Sequence, residues 1–306
     1  MLEDRQESTP STWPLIAAFT AVYVIWGSTY LAIRYAIETM PPFAMASVRF
    51  LIAGGLLVAW ARLRGAPWPR RAEIKGASLV GLLLLTGGNG LVVWGQQWVP
   101  SGLASVLVGT VAFWIVVIDW RFFSGRRPSP RVWLGVFAGL AGIAILAGGR
   151  GIVDGGAPAL LGALTIVLAA LSWAIGSLVA RTAAMPAAPR MANGVQMLAG
   201  SVGLAVMGVA TGDWGQIDIA QVSLVSWLAM LYLIIFGAIV AYGAYLYLVR
   251  VATPARVATY AYVNPVVALL LGWAVAGEPI GPRTLVGAAI VLASVMLISL
   301  SRKPRA

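Results

Sequence analysis

The sequence predicts an all-α polytopic membrane protein with ten transmembrane helices. Hydrophobic residues make up 60% of the 306 residues and charged residues 10%, and the mean hydropathy is +0.89. A soluble domain of this size could not bury so many apolar side chains. The apolar residues also fall into runs, each near the roughly 20 residues that a spanning helix needs. Because a helix satisfies its own backbone groups and the runs lack strand-type alternation, we expect a helical bundle rather than a barrel.

The ten apolar runs follow one another with short connections between them. They cover residues 14–37, 43–61, 74–96, 101–123, 132–149, 158–180, 191–211, 222–249, 254–276 and 284–301. Pro and Gly in several connections, such as 40–42 and 277–281, indicate tight turns. None of the connections is long enough for a separate domain.

Basic residues predict the orientation of the bundle. Of the 21 Lys and Arg residues, 17 lie on the side of the N-terminus and 4 on the other side. Cytoplasmic loops carry this excess, so we expect both tails, 1–13 and 302–306, in the cytoplasm. The same bias explains the net charge of +11 without a nucleic-acid partner. The acidic, polar N-terminus is not that of a cleavable signal peptide, so we expect the first run to be retained.

Residue types that are missing exclude several functions. The chain has no Cys and no His, which removes thiolate nucleophiles, disulfides and His/Cys metal sites. It also lacks a phosphate-binding loop and a nucleophile–base set. We therefore expect no cofactor, no metal and no enzymatic activity. A lipid enzyme would need paired carboxylates or a His near an interface, and a receptor would need a signalling domain, for which the tails are too short.

The two halves of the chain resemble each other. Trp26 and Arg34 in the first run are offset by 147 residues from Trp173 and Arg181 in the sixth. Runs two and four have similar counterparts in the second half, in the same order. We therefore predict two five-helix repeats, 14–149 and 158–301. Because five is odd, the second repeat has inverted topology, with a site between the halves, as in many alternating-access carriers.

The stretch from Tyr260 to Pro265 is an unusual feature in the middle of the ninth run. Asn264 brings an amide that hydrocarbon cannot solvate, and Pro265 removes a backbone hydrogen bond. Substrates of membrane carriers bind near such polar breaks. The other interpretation is a packing kink closed by a neighbouring helix.

Deep aromatic and polar residues are the candidates for a substrate site. Aromatic faces with a few amides and hydroxyls suit an organic molecule that has an apolar part, and the amides can hydrogen-bond a carboxylate or an ammonium. Lining of a cavity is favoured over core packing. The candidate substrate-binding residues are Trp26, Ser28, Tyr30, Asn89, Trp94, Trp173, Ser177, Tyr242, Tyr245, Tyr260 and Asn264.

Charged residues are scarce within the runs. Asp119 lies near the cytoplasmic end of run four, where we expect it to pair with Arg121 or with lipid, and Glu38 could offset Arg34 or Arg49 near the outer end. No titratable carboxylate lies in the middle third of a run, so proton coupling is not favoured. A facilitator or an exchanger fits at least as well, and ion coupling through hydroxyls and carbonyls stays open.

Several motifs are shared with a known family. They are Trp26-Gly-Ser-Thr-Tyr30, Pro41-Pro42 followed by Arg49-Phe50, Pro254 leading to Tyr260-Ala-Tyr-Val-Asn-Pro265, and the turn Gly277-Glu278-Pro279. On these residues the chain resembles the EamA family of the drug/metabolite transporter superfamily, over about residues 14–301. The first half departs from the family pattern, because residues 109–111 lack its Pro and Ser124 replaces its Glu.

The resemblance has implications for fold and function. It implies two inverted five-helix EamA repeats around a cavity lined by helices 1, 3, 4, 6, 8 and 9. It also implies a bacterial inner-membrane exporter of amino acids, often aromatic, and of related metabolites. We expect a monomer with a small-molecule substrate and membrane lipid as its partners. The alternative is a multidrug or other metabolite efflux carrier with proton coupling. Nucleotide sugars would need basic cavity residues for their phosphates, which the runs lack at their centres.

Overall fold

The fold is all-helical throughout the part of the chain that the structure describes. This computed structural model describes residues 12–125, 127–147, 155–251 and 260–300, and these contain helices, turns and no strand. Most of both predicted tails and residues 252–259, where the motif around Pro254 begins, lie outside the described residues. The all-α prediction is confirmed for the described part.

The helices coincide with the predicted apolar runs. In the first half they are α1 (Thr12–Ala36), α2 (Pro42–Leu63), α3 (Arg71–Gly95), α4 (Ser101–Ser124) and α5 (Pro130–Ala147). In the second half they are α6 (Gly156–Val179), α7 (Pro189–Thr211), α8 (the consecutive segments Leu224–Tyr232, Leu233–Val240 and Ala241–Val251), α9 (Tyr260–Ala276) and α10 (Pro282–Leu300).

Seven of these helices are long and apolar enough to cross a membrane. Among the described residues they are α1, α2, α3, α4, α6, α7 and α8, while α9 and α10 hold the shorter apolar helices Val263–Ala276 and Pro282–Ser294. Several such spans in one chain make a multi-pass membrane protein. The count of ten spans and the inverted repeat stay predictions.

Proline and glycine set several helix ends. Pro42 and Pro189 stand in the first turns of α2 and α7, where a missing N–H costs nothing. Gly212 ends α7 in the left-handed region, with φ at +77°, which glycine adopts without strain. These boundaries follow from local sequence.

Two long helices change to π-helical geometry near their middle. The π-helical segments are Leu82–Gly90 in α3 and Leu233–Val240 in α8. A π-turn shifts the hydrogen-bond ladder by one residue and occurs often at functional sites. In α3 it coincides with glycines that allow close packing, since a Cβ on Gly88 would lie 2.9 Å from Cε3 of Trp173.

Small residues bring peripheral helices together. α2 packs along α7, and a Cβ on Gly54 would lie 3.0 Å from the backbone oxygen of Gly194. α5 packs along α10 in the same way. Close approach of this kind is the usual route to helix association in a bilayer. α1 contacts α4, α8 and α9, so it lies inside the bundle.

Candidate functional site

Four of the predicted site residues form one aromatic cluster, which we define as Trp26, Tyr242, Tyr245 and Tyr260. The Trp26 ring centroid lies 6.2 Å from that of Tyr242, 5.2 Å from Tyr245 and 5.3 Å from Tyr260. The Tyr245 ring lies 6.0 Å from both other tyrosine rings. All five pairs are tilted or edge-to-face, the arrangements that aromatic quadrupoles favour. The cluster joins α1, α8 and α9.

Trp26 is fixed by a hydrogen bond as well as by ring contacts. Its indole Nε1–H donates to the carbonyl oxygen of Gly237, 3.2 Å away in the π-helical segment of α8. The four cluster residues are half-buried, so part of the surface of each side chain stays accessible. Such a cluster offers aromatic faces and phenolic hydroxyls to an organic molecule.

Asn264 lies at the contact between α9 and α1 and is 6% exposed. With its amide oriented so that nitrogen faces the nearby carbonyls, Nδ2 lies 3.3 Å from the Tyr23 oxygen and 3.2 Å from the Tyr260 oxygen. The amide therefore ties α9 to α1. α9 also continues through Pro265, so the expected interruption of this helix is not observed. A role of Asn264 in substrate binding stays a prediction.

The two predicted serines bond mainly to nearby groups. The Ser28 hydroxyl donates to the Ile25 carbonyl at 2.8 Å, and its oxygen lies 2.6 Å from the hydroxyl of Tyr232 on α8. The Ser177 hydroxyl donates to the Trp173 carbonyl at 2.7 Å, one turn earlier on α6. Sequence reasoning missed Tyr232, because it lies among apolar residues and its partner is 204 residues away.

The remaining predicted residues lie around α3. Trp173 of α6 packs against the glycines of α3, and Asn89 carries a buried Oδ1 that has no hydrogen-bond partner among the described residues. Trp94 pairs edge-to-face with Trp98 at 4.6 Å rather than with the aromatic cluster. The Tyr30 carbonyl accepts from Gln96 Nε2 at 2.8 Å, which ties α1 to the end of α3.

A cavity of about 550 Å³ opens beside this α1–α3 contact. It is lined by Arg34, Ile37, Glu38, Gln96, Gln97, Trp98, Val99 and Pro100. Its residues belong to the end of the bundle that the charge pattern places outside the cell. Gln96 is 5% exposed, and its buried Oε1 has no hydrogen-bond partner among the described residues.

Glu278 holds three parts of the chain together at this same end. Its carboxylate accepts from the backbone N–H groups of Ser101 at 2.8 Å and Gly102 at 3.0 Å, in the first turn of α4. It also accepts from the Ser101 hydroxyl at 2.8 Å and from Arg34 at 2.5 Å. Burial alone would raise the pKa of Glu278, but these donors together lower it below its ordinary value.

Two charge pairings differ from the sequence expectation. Arg34 pairs with Glu278 and not with Glu38. Asp119 pairs with Arg181 at 3.5 Å and not with Arg121, its near neighbour in sequence. In both cases the partner comes from the other half of the chain, so helix packing, not sequence proximity, selects it.

Arg49 is the most deeply buried cation among the described residues of the bundle. It is 4% exposed, its guanidinium lies 4.4 Å from the centroid of the Phe50 ring, and its Nε and Nη1 have no described hydrogen-bond partner. Its position on α2 sets it apart from the aromatic cluster. Among the described residues, no three acidic side chains group closely enough to hold a metal ion.

Comparison with known proteins gives a consistent result. The sequence profile described as the EamA-like transporter family matches residues 12–148 and 160–300. The chain is 41% identical to an uncharacterized inner membrane transporter, YedA, of Escherichia coli K12, over 94% of this chain and 92% of that protein. It is 28% identical to a chloroplastic WAT1-related protein of Arabidopsis thaliana, over 90% of this chain and 67% of that protein.

A solved structure shares the fold. A protein crystal structure superposes with a TM-score of 0.64 at 20% identity, and the match covers 94% of this chain and 98% of that chain. At this identity the likeness concerns the helical architecture alone.

Proposed function

Because this chain belongs to the EamA-like transporter family, we propose that it is a bacterial inner-membrane exporter or facilitator of amino acids and related metabolites. Aromatic or hydrophobic amino acids are the preferred substrates, and the protein acts as a monomer with both termini in the cytoplasm. The transporter class follows from the family. The substrate, the orientation and the mechanism are the proposal.

The aromatic cluster is the observation that carries the substrate class. It brings one indole ring within 5.2–6.2 Å of three phenol rings, with contributions from α1, α8 and α9. Aromatic or aliphatic side chains gain dispersion and quadrupole contacts against such faces. The phenolic hydroxyls of the cluster could accept hydrogen bonds from an ammonium group.

Alternating access between two inverted repeats is the proposed mechanism. It is supported by the two stretches of similar length that the family profile matches, and by the internal resemblance around Trp26 and Trp173. The proposed path to the outer end runs past the cavity beside Gln96. The proposed closure on the cytoplasmic side is the packing of α1 against α8 around Val22 and Leu248.

Counterflow in proteoliposomes tests this function. Proteoliposomes that contain the full-length protein are loaded with labelled phenylalanine. Amino acids, sugars and nucleosides are then added outside, one at a time. We expect exchange with aromatic and large apolar amino acids, and little exchange with sugars. If unrelated cationic drugs exchange fastest, and exchange strictly requires a proton gradient, the result would instead favour multidrug or metabolite efflux.

A pair of variants on one helix locates the site. Tyr260→Ala removes a ring from the aromatic cluster, whereas Trp273→Ala removes a ring that is 59% exposed on the same helix. We expect phenylalanine exchange to fall in the first variant only, with both proteins folded. Equal rates in Tyr260→Ala and in the unaltered protein would reject the cluster as the site.

A further inference from the structure

A second cavity lies at the side of the bundle, between α2, α7 and α8, at the end where both Arg64 and Arg190 stand. Its volume is about 720 Å³. We call it the lateral groove and define it by Trp60, Arg64, Arg190, Asn193, Val240 and Gly243, all of which line it. Val240 is 42% exposed and Trp60 is 41% exposed, so the groove opens on the membrane-facing side of α8 and α2.

The mouth of the lateral groove is positively charged. The Arg190 guanidinium lies 4.5 Å from the centroid of the Trp60 ring, which holds it at the groove edge. Neither Arg64 nor Arg190 forms an ion pair with an acidic side chain in the described ranges, and the groove lining includes no acidic residue. Two guanidinium groups that line one groove and have no acidic partner there favour an anion.

Asn193 adds a polar group inside the groove. It is 5% exposed and lines the groove, so its side-chain amide is placed to hydrogen-bond a bound group. The rest of the wall is apolar, with open space above Gly243, where an added Cβ would meet no atom within 4 Å.

We propose that the lateral groove binds an anionic phospholipid, with its phosphate between Arg64 and Arg190 and an acyl chain along the wall of α8. Basic pockets between transmembrane helices near a membrane surface suit lipid phosphates. The apolar, membrane-facing wall suits an acyl chain and offers nothing to a free anion. Tyr242 belongs to the groove lining and to the aromatic cluster, so the bound lipid lies directly behind the cluster. The site stands whether or not the transported substrate is an amino acid.

Native mass spectrometry of the full-length protein measures this binding. The purified protein is titrated in detergent with dioleoyl-phosphatidylglycerol and with dioleoyl-phosphatidylcholine. We expect tighter binding of phosphatidylglycerol, and about 30-fold weaker binding in Arg64→Gln/Arg190→Gln, the loss expected for two basic residues at a membrane surface. The matched control is Arg127→Gln/Arg131→Gln, which removes the same charge at the same end of the bundle, outside the groove.

A second pair of variants tests the groove without changing charge. Gly243→Leu fills the groove, whereas Gly55→Leu adds the same side chain to open space on the lipid-facing surface of α2. We expect Gly243→Leu to lose the bound phosphatidylglycerol and Gly55→Leu to keep it. The proposal is overturned if both lipids bind equally, if the control variants weaken binding as much as the groove variants, or if glycerol 3-phosphate binds as tightly as the lipid.

Discussion

The indole of Trp26 donates a hydrogen bond to the backbone oxygen of Gly237, 3.2 Å away and 211 residues along the chain. The bond joins α1 to the π-helical segment of α8. It therefore fixes the ring against which three tyrosines pack. Loss of this bond and loss of the ring should have different consequences.

Substitution of Trp26 separates these two contributions. Trp26→Phe keeps an aromatic ring but loses the hydrogen bond, and we expect it to lower the free energy of unfolding by about 0.5–1 kcal/mol. Trp26→Ala also loses the three ring contacts, so it should cost more and should reduce substrate exchange further. Thermal unfolding in detergent and counterflow measure the two effects. Equal behaviour of the two variants would contradict a role for the ring contacts.

Substitution by alanine should have opposite effects on stability at the two adjacent glycines of α2. A Cβ on Gly54 would lie 2.9 Å from the Met197 Cβ and 3.0 Å from the Gly194 backbone oxygen, so Gly54→Ala must push α2 from α7 and cost about 1–3 kcal/mol. Gly55→Ala meets open space and should be neutral or stabilising, since alanine favours helices. Melting temperatures of the two variants check the contrast. A neutral Gly54→Ala would show that the helices do not approach this closely.

Asn264 should contribute to stability through α1. Asn264→Ala removes an amide that reaches the carbonyls of Tyr23 and Tyr260, and we expect a loss of about 1 kcal/mol. Unfolding in detergent gives the magnitude. If instead Asn264→Ala unfolds normally while substrate affinity falls, the amide serves the substrate and not the helix contact.

Glu278 should make stability depend on acid pH. Because the pKa of Glu278 is lowered in the folded state, its contribution is complete above the unfolded value of 4.5 and is lost as the pH falls through the folded pKa. Glu278→Gln removes this contribution, so we expect it to be less stable than the unaltered protein at pH 7, by about 1–2 kcal/mol. The difference should shrink below pH 4.5. A difference that is constant with pH would show that the charge is not what matters.

Exchange should not require a proton gradient. Asp119 lies near the end of α4, a candidate membrane span, and pairs with Arg181 at 3.5 Å. We expect Asp119→Asn to exchange substrate at the rate of the unaltered protein, and both to keep exchanging after an ionophore collapses the gradient. Strict dependence on the gradient would make Asp119 a proton carrier.

Local sequence determined the positions of the helices. Apolar runs of about 20 residues end at Pro and Gly, and the helices of the structure lie within a few residues of the predicted bounds. Pro42 and Pro189 begin α2 and α7 as the pattern indicates. These features depend on residues near one another in sequence, so they can be predicted without a partner helix. The aromatic candidates for the site could also be named, since their depth in a run can be counted.

Contacts between residues from distant parts of the chain could not be predicted in the same way. Arg34 and Glu278 are 244 residues apart, and nothing local to either residue identifies the other. From the sequence, Asn264 beside Pro265 predicts an interruption of the helix. The orientation of its amide toward α1 appears only when α9 packs against that helix. Sequence alone determined a helical, multi-pass chain with deep aromatic residues, because length and hydropathy are local quantities, and the family motifs indicated a transporter. Only the tertiary structure decided that Trp26 joins Tyr242, Tyr245 and Tyr260, because the rotation and crossing of each helix depend on side chains that the other helices supply.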